Sequence, residues 1–218
     1  MENLCVTFET WTIADGNYDP FHKGQKVSFA LNIQRDKIRR SIRKQYYLKQ
    51  QSFSDYSFCG EVICNYSEEQ HKHMANDNFI VIDTGLYKFF MHKSGDAYPY
   101  QVGEFVVGKG QIAVDYFIWG EQSYKIENLP DIYYDFIIGK ILYIQIPQKF
   151  LTQGNGVLIS PTSLSSAEYT DVDIVEIENM AEHENSDENN EEEDNNEDCE
   201  IMHMSRSFCV FELERLNT

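Results

Sequence analysis

Short apolar runs rich in Val, Ile, Phe and Tyr recur along the chain, separated by glycines and polar stretches. That is the pattern of β-strands joined by tight turns. Its densest block extends from Tyr98 to Pro147. There the spacing predicts a hairpin turning at Gly108-Lys109-Gly110, with arms Glu104–Val107 and Gln111–Ile118, and a further strand over Ile137–Ile146. Near the start, Leu4–Ile13 alternates, with Leu4, Val6 and Phe8 on one face and Thr7 and Glu9 on the other, as a half-buried strand does. Lys26–Ile33 and Phe58–Tyr66 add strands, and Phe79–Asp83 and Tyr87–His92 form a second hairpin about Thr84-Gly85. Gly156–Ser160 is a short strand, and Asp171–Glu178 and Ser207–Leu213 predict a pair at the end of the chain.

Two segments break the pattern. In Gln34–Gln51, Ile38, Ile42 and the Tyr46 region lie about one helical turn apart, which predicts a short amphipathic helix. Residues 181–200 are low in complexity and too polar to bury a core, so they read as a disordered acidic loop within the terminal hairpin. The expectation is one mainly-β domain over residues 1–218. It is a small antiparallel barrel or sandwich of the OB or SH3 kind, with one short helix and a disordered acidic insertion.

Charge sharpens this picture. The chain of 218 residues carries a formal net charge of -18, and 11 of its 36 acidic residues fall between Glu182 and Glu200, where there is no Lys or Arg. The rest is only mildly acidic, as soluble domains usually are. An acidic surface repels nucleic acid and anionic membranes unless a basic patch intervenes. Such a patch exists in Gln34–Gln51, with Arg35, Lys37, Arg39, Arg40, Arg43, Lys44 and Lys49. No apolar run approaches the ~18 residues of a membrane span, and the start of the sequence lacks the pattern of a signal peptide. Five scattered cysteines then predict reduced thiols and a cytoplasmic setting.

The opening strand with Trp11, followed by Pro20-Phe21, Gly24, Val27 and Phe29, resembles the N-terminus of small bacterial β-barrel families of unknown function. Cys59-Gly60-Glu61-Val62, Phe79–Asp83 and Val102-Gly103-Glu104-Phe105-Val106 are similar in kind, so the likeness touches roughly the first 120 residues. Some families of that group are predicted toxin-immunity proteins. The resemblance implies a barrel fold and carries over no catalytic residue.

Candidate chemistry is sparse. Gly108-Lys109-Gly110 lacks the leading glycine and the Lys-Ser/Thr ending of a phosphate loop. His71 and His73 beside Glu68 and Glu69 offer imidazoles and carboxylates, without the further convergent ligands that zinc requires. No Gly-x-Ser-x-Gly elbow and no papain-like cysteine context is present. Asp115, Glu121, Asp131 and Asp135 read as solvated carboxylates flanking strands. These observations predict a non-enzymatic interaction protein without cofactor or metal.

The aromatic-acidic stretch supplies its expected surface, with Trp119, Glu121, Tyr133, Tyr134 and Asp135 facing a basic protein partner in the manner of an inhibitor or immunity protein. The alternative is an OB-like barrel that binds single-stranded nucleic acid through segment 35–49, with Arg39, Arg40 and Arg43 on phosphates and strand aromatics on bases.

Overall fold

The apolar runs become strands in the computed structural model, which describes residues 3–14, 18–34, 38–66, 78–93, 99–115, 119, 129–153, 156–160, 168–175 and 199–216. In chain order these form β1 (Leu4–Phe8), a single helical turn α1 (Trp11–Ala14), β2 (Phe21–His22), β3 (Lys26–Gln34) and β4 (Arg39–Arg40). Next come β5 (Tyr47–Ser52), β6 (Asp55–Tyr66), β7 (Asn78–Asp83), β8 (Lys88–Lys93) and β9 (Phe105–Val114). The remainder is β10 (Tyr133–Gln153), β11 (Gly156–Ser160), β12 (Glu168–Val172), β13 (Ile174–Val175) and β14 (Cys199–Arg215). The protein is therefore mainly β. Among the described residues no helix is long and apolar enough to cross a membrane.

The chain divides into two compact units. Unit 1 comprises Met1–Thr7, Lys26–Ile137 and Glu212–Thr218. Its strands close into a barrel, because β6, β7 and β8 pair antiparallel in succession, β8 meets β3 in parallel, and β9 pairs with both β3 and β6. Strands β1, β5 and β10 attach to β9, β6 and β3, and the closed barrel has eight strands. Closure satisfies backbone groups that an open sheet would leave at its edges. Inside, Phe58 meets Phe89 edge-to-face at 5.3 Å. Phe79, Ile80, Val81 and Ile82 are all buried, so β7 is covered on both faces.

Unit 2 comprises Phe8–Gln25 and Ile138–Phe211. Strand β10 pairs there with β11 over Lys149–Gln153 and with β12 over Ile141–Gln145, while β13 pairs with β2. The partner of residues 168–172 is thus β10 rather than the last strand. Phe8, Phe21 and Phe211 form an aromatic core, with Phe8 and Phe211 stacked at 5.1 Å.

Two sequence expectations are corrected. Residues 108–110 do not turn: β9 runs straight through them, pairing Lys109 with Ser57 and Gly110 with Tyr56. Gly108 is glycine because a Cβ there would lie 2.8 Å from the Ile38 side chain and 2.9 Å from the Phe58 ring. An interior strand glycine marks such a close approach.

The helix expected near Ile38–Tyr46 is absent, because β4 ties Arg39 and Arg40 to Val107 and Val106 of β9 and the sheet ladder displaces helical bonding. Ile38, Ile42 and Tyr46 consequently share no face. Ile38 packs at Gly108, Ile42 is fully exposed, and Tyr46 lies edge-on to Phe105 with its hydroxyl on Glu61.

Cys209, at the end of unit 2, has its thiol pushed up by burial to about 12 from an ordinary 9.0. Below pH 9 folded and unfolded chains both hold that proton. Between pH 9 and about 12 the unfolded chain releases it while the folded chain does not, so stability declines with rising pH. The melting temperature is expected to fall from pH 8 to pH 11, and to fall less steeply in Cys209→Ala. An equal slope in the two proteins contradicts the assignment.

Candidate functional site

A cleft of about 480 Å³ in unit 1 is lined by the β7–β8 turn, the first residues of β10 and the end of β14. The turn is set by sequence. Gly85 adopts φ +84°, a left-handed conformation open to glycine, and its N–H donates to Asp83 Oδ1 at 2.7 Å. Thr84 closes the loop by donating from its hydroxyl and its N–H to the Tyr87 carbonyl at 2.7 and 3.0 Å.

Arg215 organises the cleft. Its guanidinium lies 4.7 Å from the Tyr134 ring centroid and 5.2 Å from that of Tyr87, and it donates to the Leu86 carbonyl at 2.9 Å. The two rings meet edge-to-face at 5.2 Å. Cations over ring faces contribute roughly 0.5–2 kcal/mol each, according to their exposure. The Tyr134 hydroxyl accepts the Lys88 N–H at 2.7 Å, and Leu216 N–H donates to the Asp135 carbonyl at 2.9 Å. Burial raises the phenol pKa of both Tyr87 and Tyr134, and Arg215 partly offsets the rise. Both phenols therefore stay neutral at physiological pH.

On β10 the period of two separates roles. Tyr134 and Phe136 turn toward Tyr87, while Tyr133 (44% exposed) and Asp135 face solvent. Asp131 Oδ1 accepts the Tyr133 N–H at 3.0 Å, which fixes the start of the strand. Asp83, Asp131 and Asp135 thus share one cleft with Tyr133, while the Arg215 cation is held between two rings. Among the described residues no group of three or more His, Cys, Asp or Glu converges as a metal site.

The structure brings Tyr133, Tyr134 and Asp135 together and separates Trp119 from them. Trp119 is 2% exposed, stacked on Phe90 at 5.4 Å and edge-on to Phe79 at 5.6 Å, in a core cluster with Tyr66, Val81 and Ile132. It is a core residue and not a surface anchor. It packs on Tyr66 of β6, Phe79 and Val81 of β7 and Phe90 of β8, and its backbone N–H is taken by the buried Asp115 carboxylate at 2.8 Å. Glu121, His71, His73 and residues 176–198 lie outside the described residues.

The arginines of the alternative reading lie on and beside β4, and all three are exposed. Arg40 is already engaged: it forms an ion pair with Glu104 at 3.0 Å, donates to the Pro99 carbonyl and lies 5.7 Å from the Tyr100 ring centroid. The Gln101 N–H, with Arg40, holds the Glu104 carboxyl below its usual range. Arg215 is the cleft residue that sequence reasoning missed. The signal was present, because Arg215 continues the period-two series of buried Cys209, Phe211 and Leu213.

These features define a mainly-β barrel protein with an acidic-aromatic cleft. No protein-family model, curated protein or solved structure matches the chain.

Proposed function

We propose that the chain is a non-enzymatic interaction protein that captures a basic partner protein, as an inhibitor or immunity protein does. The observation that carries this reading is the cleft, where exposed Tyr133 stands beside Asp131 and Asp135 on a rigid Tyr87–Arg215–Tyr134 base. Amphipathic aromatics beside carboxylates suit an incoming Lys or Arg, whose stem packs on the ring while its head meets the acids. A formal net charge of -18 adds long-range attraction for a basic partner and raises the association rate. The free thiols of Cys5, Cys59, Cys64 and Cys209 support a reducing, cytoplasmic setting.

The nucleic-acid reading draws less support. The commitment of Arg40 to Glu104 and the packing of Trp119 on β6, β7 and β8 both remove groups it would use.

Affinity capture from a native extract at low salt tests the proposal. The wild-type protein is expected to retain high-pI proteins, and Tyr133→Ala or Asp131→Asn/Asp135→Asn to lose them. Retention is also expected to fall at about 0.5 M salt, where exposed charges are screened. Equal capture by wild type and variants, or capture of nucleic acid alone, contradicts the reading.

A further inference from the structure

Residues 38–54 carry chemistry opposite to that of the whole chain, with Arg39, Arg40, Arg43, Lys44 and Lys49 and no Asp or Glu. At their centre, β5 pairs with β6 and, among the described residues, with no other strand. Every β5 residue except half-buried Leu48 is exposed. Ile42 just before it is 102% exposed, and Phe53 just after it is 44% exposed with φ +35°, a conformation rare outside glycine. The strand ends in a fixed turn, where the Gln50 amide donates to the Phe53 carbonyl and the Ser52 hydroxyl reaches Asp55. A strand paired on one side presents its other backbone edge as a template for further pairing.

We propose that β5 is a docking edge for an acidic, extended segment of a partner protein, which adds as a strand and sets its carboxylates against Arg43, Lys44 and Lys49. Charge complementarity selects the occupant. A second copy of this chain would bring like charges face to face, the device by which edge lysines block self-pairing. A single-stranded nucleic acid would meet the same cations, but the surrounding negative charge repels a polyphosphate. Of the rings at this surface, Tyr46 is turned onto Phe105 and so offers bases no free face there. A peptide instead gains backbone ladder bonds that nucleic acid cannot form. This surface is separate in sequence and chemistry from the cleft that takes a basic partner.

The test uses the full chain and an end-capped hexapeptide of alternating Glu and Val. Binding is expected to slow hydrogen exchange of the Tyr47–Ser52 amides and to weaken about tenfold in Arg43→Glu/Lys44→Glu/Lys49→Glu. A melting temperature within about 2 °C of wild type shows that this surface variant remains folded. Tyr133→Ala is expected to bind the peptide normally, so failure here and failure at the cleft are distinguishable. Unchanged exchange of the β5 amides, equal affinity for a Gln-Val peptide, or tighter binding of a twelve-nucleotide oligothymidine overturns the proposal.

Discussion

Trp119→Ala is expected to destabilise the barrel by about 3–5 kcal/mol, the range for truncating a buried Trp or Phe. In a chain of this size that lowers the melting temperature by roughly 10 °C. The cost has two parts. The indole loses its contacts with Phe79 and Phe90, and the cluster with Tyr66, Val81 and Ile132 is left with a void. Trp119→Phe keeps most of the apolar volume and is expected to cost less than half as much. Thermal melts of the two variants decide the point: equal stability to wild type would place the indole outside the core. Any loss of partner binding in Trp119→Ala should follow its loss of fold, whereas Tyr133→Ala should lose binding while melting like wild type.

Gly60→Ala is expected to cost about 3 kcal/mol or more, above the usual range for an added methylene because the obstacle is backbone. An alanine Cβ at this position would lie 2.2 Å from the Asp83 carbonyl oxygen and 2.8 Å from the Ile82 side chain. Strands β6 and β7 pair Glu61 with Asp83 immediately beside it, so neither strand can retreat without breaking the ladder. Gly24→Ala is the control. Gly24 has φ +84° and nothing within 4 Å of its added Cβ, so only the left-handed penalty of about 1–2 kcal/mol applies. Denaturant unfolding that ranks Gly24→Ala as the more damaging change would contradict the packing at Gly60.

Most of the strands were legible because their signal is local. Phe79–Asp83 and Tyr87–His92 hold unbroken apolar runs around a Thr-Gly turn, and the structure places β7 and β8 there as an antiparallel pair. Expectations failed where the answer depends on a partner distant in sequence. Gly108-Lys109-Gly110 has the composition of a turn, yet its glycine makes room for Phe58, some 50 residues earlier. The 38–46 segment has helical spacing, yet the β9 edge captures Arg39 and Arg40. Trp119 lies in an aromatic-acidic run and looked like its neighbours, although among the described residues of that run it is buried while Asp131, Tyr133 and Asp135 are exposed. Arg215 escaped for the converse reason, since an exposed arginine near the end of a strand has meaning only once two tyrosine rings are found against it.

The clamp on Arg215 bears on how the protein is made. Unit 1 draws on residues at both extremes of the chain, with the roughly 70 residues of Ile138–Phe211 emerging between its two later pieces. At a ribosomal pace of roughly 5–20 residues per second, Tyr87 and Tyr134 wait several seconds for the guanidinium that fills the space between them. Until then the exposed Leu86 carbonyl lacks its Arg215 donor, and the cleft lacks its cation. A nascent chain halted before residue 215 would therefore lack the cation that joins Tyr87 to Tyr134, so that on the proposed reading the cleft is completed only after the strands that display it.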